Sequence, residues 1–270
     1  MITSTSNKRI KNVIALLSKA KERKKQQAFV VEGIKMFAEA PDSWMKEVYI
    51  SEELDLQLAE NAILAEKVKK LSDLPWVVIE TVASDVFDKM CDTKTPQGVL
   101  SVLKMPEYSF DDMRKTENGL YLVLEDIQDP GNLGTMMRTG EGAGIRGVIM
   151  SDHTVDLFNP KTIRATMGSI YRVPFIYVRD LADSIKKMRA LGIKTYAAHL
   201  DGQNAYDKEN YKEETAFLIG NEGNGLSREI ADLADCYIRI PMLGQVESLN
   251  AAIAASLLVY EAARQRRNKK

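Results

Sequence analysis

A chain of 270 residues, 45% hydrophobic and 28% charged, can bury a sizeable core as one or two domains and has an ordinary globular composition. It holds no apolar run of about eighteen residues or more, lacks an apolar N-terminal segment, and has only two well-separated cysteines, Cys91 and Cys236. A spanning helix, a secretory leader and a disulfide framework are therefore not expected, and a cytoplasmic protein with reduced thiols is. The formal net charge of −1 hides an asymmetry: residues 1–30 hold eight Lys/Arg against one acid (+7) and residues 261–270 five against one (+4), leaving −12 for the rest. Basic ends on an acidic body suggest a polyanionic partner held at defined places, although Lys-rich helix ends also aid solubility.

Ile10, Val13, Ile14, Leu17 and Ala20 recur at helical spacing over 6–27, with Ser6 or Asn7 placed to cap and Lys8, Lys11 and Lys19 on the opposite face. This helix runs into the basic stretch 21–25. A buried strand at 29–33 and a short helix to Ala40 follow. The alternation continues as strand 46–51, helix 52–71, strand 75–80, helix 83–90 and strand 98–104. Residues 1–104 thus make a small α/β unit in which nothing looks catalytic, so it reads as a binding module. Residues 105–118 lose periodicity and gather Pro, Asp, Lys and Asn, which marks a linker.

A second alternating unit occupies 119–270. Its expected elements are strand 120–127, a helix from about Leu133, strand 147–151, helix 160–171, strand 173–178, helix 180–191 and strand 194–200. Strands 216–220 and 236–241 come next. The final helix, 247–267, is apolar almost all round, including Leu249, Ile253, Leu257 and Tyr260, so burial is expected. No internal repeat appears.

Three polar clusters fall at strand ends of this second unit, where open α/β sheets bind ligands. The first runs from Asn132, which sits where a helix N-cap belongs, through Gly134 to Arg138 and Thr139; a capped helix with a surface arginine would also explain it. The second is the run GNEGNGLS at 220–227, a glycine turn with Ser227 capping a helix. That reading leaves Glu222 between two glycines at the end of a buried strand, where desolvation demands a fixed cationic or hydroxyl partner. The third runs from Pro241 through Gly244 and Ser248 to Asn250, with Asn250 inside a helix's opening turn, where Asn is a poor helix former. The GxGxxG string at 142–147 follows a helix and precedes a strand, the reverse of a dinucleotide site, and reads as a turn. His153 and His199 have no partners at ligand spacing, so no metal is expected, and His199 reads as a wall or loop residue.

Together the clusters resemble the motifs of the SpoU (TrmH-type) RNA 2′-O-ribose methyltransferases of the SPOUT superfamily. N-x-G-x-x-x-R-S/T matches 132–139, G-x-E-x-x-G matches 220–225, and P-x-x-G-x-x-x-S-L-N matches 241–250. The N-terminal unit, with its basic helix, FVVEG strand and TPQGVLSVL ending, looks like the small substrate-binding domain of the ribosomal-RNA members. The resemblance implies an α/β fold: a parallel-sheet methyltransferase domain whose C-terminal segment threads a trefoil knot, plus a small N-terminal α/β/α domain. It also implies a homodimer that uses S-adenosylmethionine to methylate a ribose 2′-hydroxyl in RNA, with 23S ribosomal RNA favoured over transfer RNA. By matching, Gly220, Leu226, Ile240, Met242 and Leu249 would hold the cofactor. Asn132, Arg138, Glu222, Ser248 and Asn250 would serve catalysis. Arg138, reaching from the partner subunit, would place the target phosphate and stabilise alkoxide charge while phosphate or water takes the proton. Ser248 and Asn250 would orient the ribose, and Asn132 and Glu222 would fix Arg138 and the acceptor hydroxyl. Lys8, Lys11, Lys19, Lys21, Arg23, Lys24 and Lys25 would meet RNA phosphates. The competing readings are a non-catalytic RNA-binding assembly factor of the same fold and a nicotinamide oxidoreductase, the latter disfavoured by the misplaced glycine string.

Overall fold

The computed structural model describes residues 1–114 and 117–267, so part of the expected linker and the last three residues of the expected C-terminal domain lie outside the described residues. The chain falls into two units, Met1–Pro106 with Phe158–Tyr171, and Glu107–Leu157 with the chain from Arg172 onward.

In the first unit, α1 (Lys8–Ser18) starts at Asn7, whose side chain accepts from the Arg9 N–H, and α2 (Ala20–Gln26) follows. The single helix expected over 6–27 is broken because Lys19 is extended, and the break is sealed from below. Arg23 Nη1 donates to the Leu16 and Leu17 carbonyls at 2.7 and 3.0 Å, satisfying acceptors that a helix C-terminus leaves open. Arg23 is only 3% exposed, so its expected contact with RNA phosphate is corrected: it is an internal cap. Lys8, Lys11, Lys19, Lys21, Lys24 and Lys25 are exposed.

The unit continues with β1 (Ala28–Glu32), α3 (Ile34–Glu39), β2 (Met45–Ser51), α4 (Glu52–Gln57), α5 (Ala62–Ser72), β3 (Val78–Val82), α6 (Ser84–Met90) and β4 (Val99–Lys104). The helix expected over 52–71 is interrupted, and Asn61 caps α5 by accepting from the Leu64 N–H. The four strands lie in the order β1-β4-β2-β3, with β4 antiparallel to both neighbours and β2 parallel to β3. Ile10, Val13 and Leu16 of α1 join Val30, Tyr49, Phe87 and Leu100 in its core. The segment 158–171, with α9 (Pro160–Thr166), also belongs here, unlike its expected place in the C-terminal domain. Phe158 stacks on Phe29 with ring centres 4.7 Å apart, and the Tyr171 hydroxyl donates to the Met36 carbonyl.

The second unit begins with α7 (Phe110–Met113), inside the stretch expected to be a plain linker. A Ser109–Asp112 capping box starts it and the buried Met113 anchors it. Then come β5 (Leu120–Leu124), α8 (Pro130–Ala143), β6 (Gly147–Ser151), β7 (Phe175–Val178), α10 (Leu181–Ala190), β8 (Lys194–Ala198), β9 (Asn204–Ala205), β10 (Thr215–Ile219), α11 (Arg228–Ala231), β11 (Cys236–Arg239) and α12 (Ala251–Arg267). Gly144, at φ 82°, ends α8, and β6 starts at Gly147, so the glycine string is a helix-to-strand turn. The seven strands lie in the order β7-β6-β5-β10-β8-β11-β9, and every pair is parallel. β5 and β10 are buried throughout, as expected for strands covered on both faces. Ile219 pairs with Leu124, Leu218 with Ala197, and Ile238 with Ala198, so chain leaving β5, β8, β10 and β11 emerges along one edge.

Helix α12 starts at Ala251, not at 247. It buries Ala252, Ala255, Leu258, Val259 and Ala262 against α8 and the central strands. The expectation that it is buried all round is corrected: Ile253, Leu257 and Tyr260 are 50%, 37% and 47% exposed. The sheet and α8 cover one face, and these three form a second stripe at helical spacing. Among the described residues no helix is long and apolar enough to cross a membrane.

Candidate active site

A cavity of about 340 Å³ opens at the carboxyl ends of β8, β10 and β11, lined from residues 198–200, 219–226 and 238–254. Gly220, Leu226, Ile240, Met242 and Leu249, the five expected cofactor residues, all line it, as do Glu222 and Ser248. Its floor exists because Gly220 carries no side chain: a Cβ there would lie 2.0 Å from the Leu226 nitrogen and 2.1 Å from the Gly225 carbonyl carbon. The loop therefore folds back on its own start. Asn221 Oδ1 holds it by accepting from the Gly223 and Asn224 N–H groups at 2.8 and 3.1 Å. Ile219, Ile238, Ile240 and Leu249 supply apolar walls between backbone donors and acceptors. A flat heteroaromatic ring with a polar edge suits such a donor set, which fits the adenosine of S-adenosylmethionine. His199 is a wall residue, its Nδ1 accepting from the Asp201 N–H at 3.1 Å.

Beside the cavity the three motifs join in one hydrogen-bonded chain. Asn250 Nδ2 donates to Asn132 Oδ1 at 3.0 Å, and Asn132 Nδ2 donates to Glu222 Oε1 at 2.9 Å. The Gln128 and Asp129 N–H groups each donate to the Glu222 carboxylate at 3.0 Å. Glu222 thus sits at the N-terminus of α8, where free N–H groups and the helix dipole favour an anion. Its expected cationic or hydroxyl partner is corrected to three amide donors, and the residue is exposed, not buried. Partial burial pushes its carboxyl up, but the bonds from Asn132, Gln128 and Asp129 outweigh that and hold it below the ordinary glutamate range.

Two further expectations change with this geometry. Asn132 does not cap α8: Asp129 does, accepting from the Asn132 N–H at 2.8 Å, which frees the Asn132 side chain for the network. Asn250 is not a misfit inside a helix but the cap of α12, its Oδ1 accepting from the Ala252 and Ile253 N–H groups. One amide hydrogen of Asn250 remains after these contacts.

Arg138 stands apart from this chain of bonds. It is exposed on α8, lies outside the cavity lining, and makes no hydrogen bond or ion pair with the described residues. Within one chain, Asn132 and Glu222 bond to each other and not to Arg138. Ser248 is also exposed, with its hydroxyl unpaired among the described residues. Sequence reasoning missed Asp129 and Glu125. Pro130, at the first helical position, was the available signal for an Asp129 cap.

Comparison with known proteins gives a consistent picture. Residues 119–260 match the model of the SpoU rRNA Methylase family, and residues 7–101 match an MRM3-like substrate binding domain. The chain is 34% identical over 262 residues to the 23S rRNA (guanosine(2553)-2′-O)-methyltransferase RlmP of Bacillus subtilis, covering 96% of this chain and 97% of that one. Among solved structures, an AdoMet-bound rRNA methyltransferase from Sinorhizobium meliloti superposes with a TM-score of 0.84 at 32% identity, covering 97% of each chain. The SpoU methyltransferase AviRb from Streptomyces viridochromogenes superposes with a TM-score of 0.83 at 28% identity, over 98% of this chain and 99% of that one.

Proposed function

The chain belongs to the SpoU rRNA methylase family, and from that premise we propose that it transfers the methyl group of S-adenosylmethionine to a ribose 2′-hydroxyl of 23S ribosomal RNA. The observation that carries this reading is the linkage of Asn132, Glu222 and Asn250, from three sequence-distant motifs, beside one cavity that Ser248 also lines.

S-adenosylmethionine supplies the electrophilic methyl on its sulfonium. The cavity walls from 219–226 and 238–249 would hold it. The acceptor hydroxyl is a weak nucleophile until it begins to lose its proton, so the site must stabilise growing negative charge. Glu222 is unsuited to take that proton, because its oxygens already accept three hydrogen bonds that lower its basicity. It serves instead to lock Asn132, and through it Asn250, beside the cavity. The Ser248 hydroxyl is left to meet the ribose. The Arg138 guanidinium can place a phosphate and stabilise the alkoxide, with phosphate or water as the proton acceptor.

Arg138 performs this role across a homodimer, in this reading. Support comes from its position outside its own chain's cavity lining, its guanidinium, unpaired among the described residues, and the exposed stripe Ile253, Leu257 and Tyr260 on the helix packed against α8. Residues 1–104 form the substrate-binding domain, and Lys8, Lys11, Lys19, Lys21, Lys24 and Lys25 meet RNA phosphates in the cytoplasm, where ribosomal RNA resides. The trefoil knot that the resemblance implies belongs to the same proposal. The test is methyl transfer from tritiated S-adenosylmethionine to total RNA from cells lacking this protein, with mapping of 2′-O-methyl positions. One new methylated ribose in 23S RNA supports the reading; label in transfer RNA alone, or none, overturns it.

A further inference from the structure

The glycine loop is held at both ends by two consecutive residues that no motif includes. Glu125 and Asp126 directly follow β5. The Glu125 carboxylate accepts from the Ser227 N–H at 2.8 Å and from the Ser227 hydroxyl at 2.6 Å. The Asp126 carbonyl accepts from Asn221 Nδ2 at 2.8 Å. Asn221 lies within the stretch 219–226 that lines the cavity and Ser227 directly follows it, and neither Ser227 nor Glu125 is itself part of the lining.

This double attachment needs a sharp change of chain direction after Glu125, and Asp126 supplies it at φ 53°. A non-glycine residue stays in that left-handed region only where its surroundings hold it. Ser151 does so: its hydroxyl accepts from the Asp126 N–H at 2.8 Å and donates to Asp126 Oδ1 at 2.6 Å. Ser151 is 7% exposed, so this support sits inside the fold.

We propose that Glu125 is a positioning residue for the cofactor, clamping Ser227 at two points so that the glycine loop keeps the shape that lines the cavity. The inference rests on the methyltransferase reading above. A loop with Gly220, Gly223 and Gly225 has much conformational freedom to lose on binding, and a charge-assisted clamp removes that cost in advance. Because Glu125 acts through the loop, its loss weakens cofactor binding and leaves the methyl-transfer step at saturating cofactor unchanged.

The test compares wild type, Glu125→Ala, Ser227→Ala and the double variant by calorimetry with S-adenosylmethionine and by methylation kinetics. The expected result is an affinity loss of about tenfold or more for Glu125→Ala, a matching rise in KM for the cofactor, and kcat within about twofold of wild type. Ser227→Ala falls between, and the double variant loses less affinity than the sum of the two, since both single changes remove the Ser227 hydroxyl's bond to Glu125, while Ser227→Ala also removes that hydroxyl's cap on the Ile230 N–H. Glu125→Gln, which keeps an acceptor for the Ser227 N–H, recovers most of the affinity. If Glu125→Ala does not fold, Ser227→Ala and Glu125→Gln carry the same comparison. Wild-type affinity in Glu125→Ala, a fall in kcat with KM unchanged, or additive losses in the double variant overturns the clamp. Failure of the wild type itself to bind S-adenosylmethionine sinks the methyltransferase reading instead.

Discussion

The carboxyl edge of the seven-stranded sheet and the lysine-bearing face of α1 and α2 treat charge in opposite ways. At the sheet edge the Glu222 carboxylate is fixed by three donors, and Asn132 and Asn250 are bonded in series behind it. On α1, α2 and the Lys19 break between them six lysines stay exposed, while the one arginine that turns inward, Arg23, is used for backbone capping. The difference follows from what each region would meet. Stabilising charge that grows on one oxygen during a reaction requires donors already in place. Attraction to a polyanion requires positive charge at the surface, and precise geometry adds little to it.

The sharpest way to break this contrast is at Arg138, the exposed cation that lies on the sheet-edge unit. Arg138→Ala is expected to lower kcat by roughly 10²–10³-fold while S-adenosylmethionine affinity by calorimetry stays at wild type. Cofactor affinity falling in step with rate would refute that division of labour. A smaller effect is expected from cutting the fixed network in the middle. Asn132→Ala separates Glu222 from Asn250 and should cost roughly 10- to 100-fold in kcat through misplacement, with the melting temperature little changed. On the lysine face, the combined change Lys21→Glu, Lys24→Glu and Lys25→Glu should weaken RNA binding by about tenfold or more and flatten its salt dependence by about two to three in logarithmic slope. Cofactor affinity in this variant should not move; a shared loss would erase the distinction between the two regions.

The smallest expected effect is on stability against pH. The Glu222 carboxyl titrates below its ordinary range in the folded protein, so its contribution is complete above the unfolded value and is lost as pH falls through the lowered one. Wild type should therefore begin to lose its advantage over Glu222→Gln in thermal melts only as pH falls towards the ordinary glutamate value of about 4.3, and lose the rest below it. An advantage that shrinks instead above neutral pH would contradict the assigned cause.

Much of this was legible in the sequence, and the gaps have physical reasons. The alternation of elements and the glycine-rich strand ends were readable because parallel strands and their turns have local residue preferences. The five residues expected to hold the cofactor followed from motif matching, and all five line the cavity. What the sequence hid was pairing at a distance. Glu222 has a donor, Asn132, ninety residues away, and no local pattern announces a backbone N–H as a partner. Asn250 looked out of place because the final helix was started at 247; begun at Ala251, the same residue is a cap. Arg23 was hidden in a run of lysines, since composition does not say which member of a basic stretch turns inward. The apolar circumference of α12 spoke for burial, yet one sheet can cover only one side of a helix.

The measurement that bears most directly on the assembled site is hydrogen exchange of the full chain with and without S-adenosylmethionine. The expected result is slowed exchange in 219–226, 238–242 and 247–251 together, with 8–26 unchanged, because those three segments border one cavity. Protection confined to one of the three, or appearing on α1 and α2 instead, would contradict a single cofactor site built from sequence-distant loops.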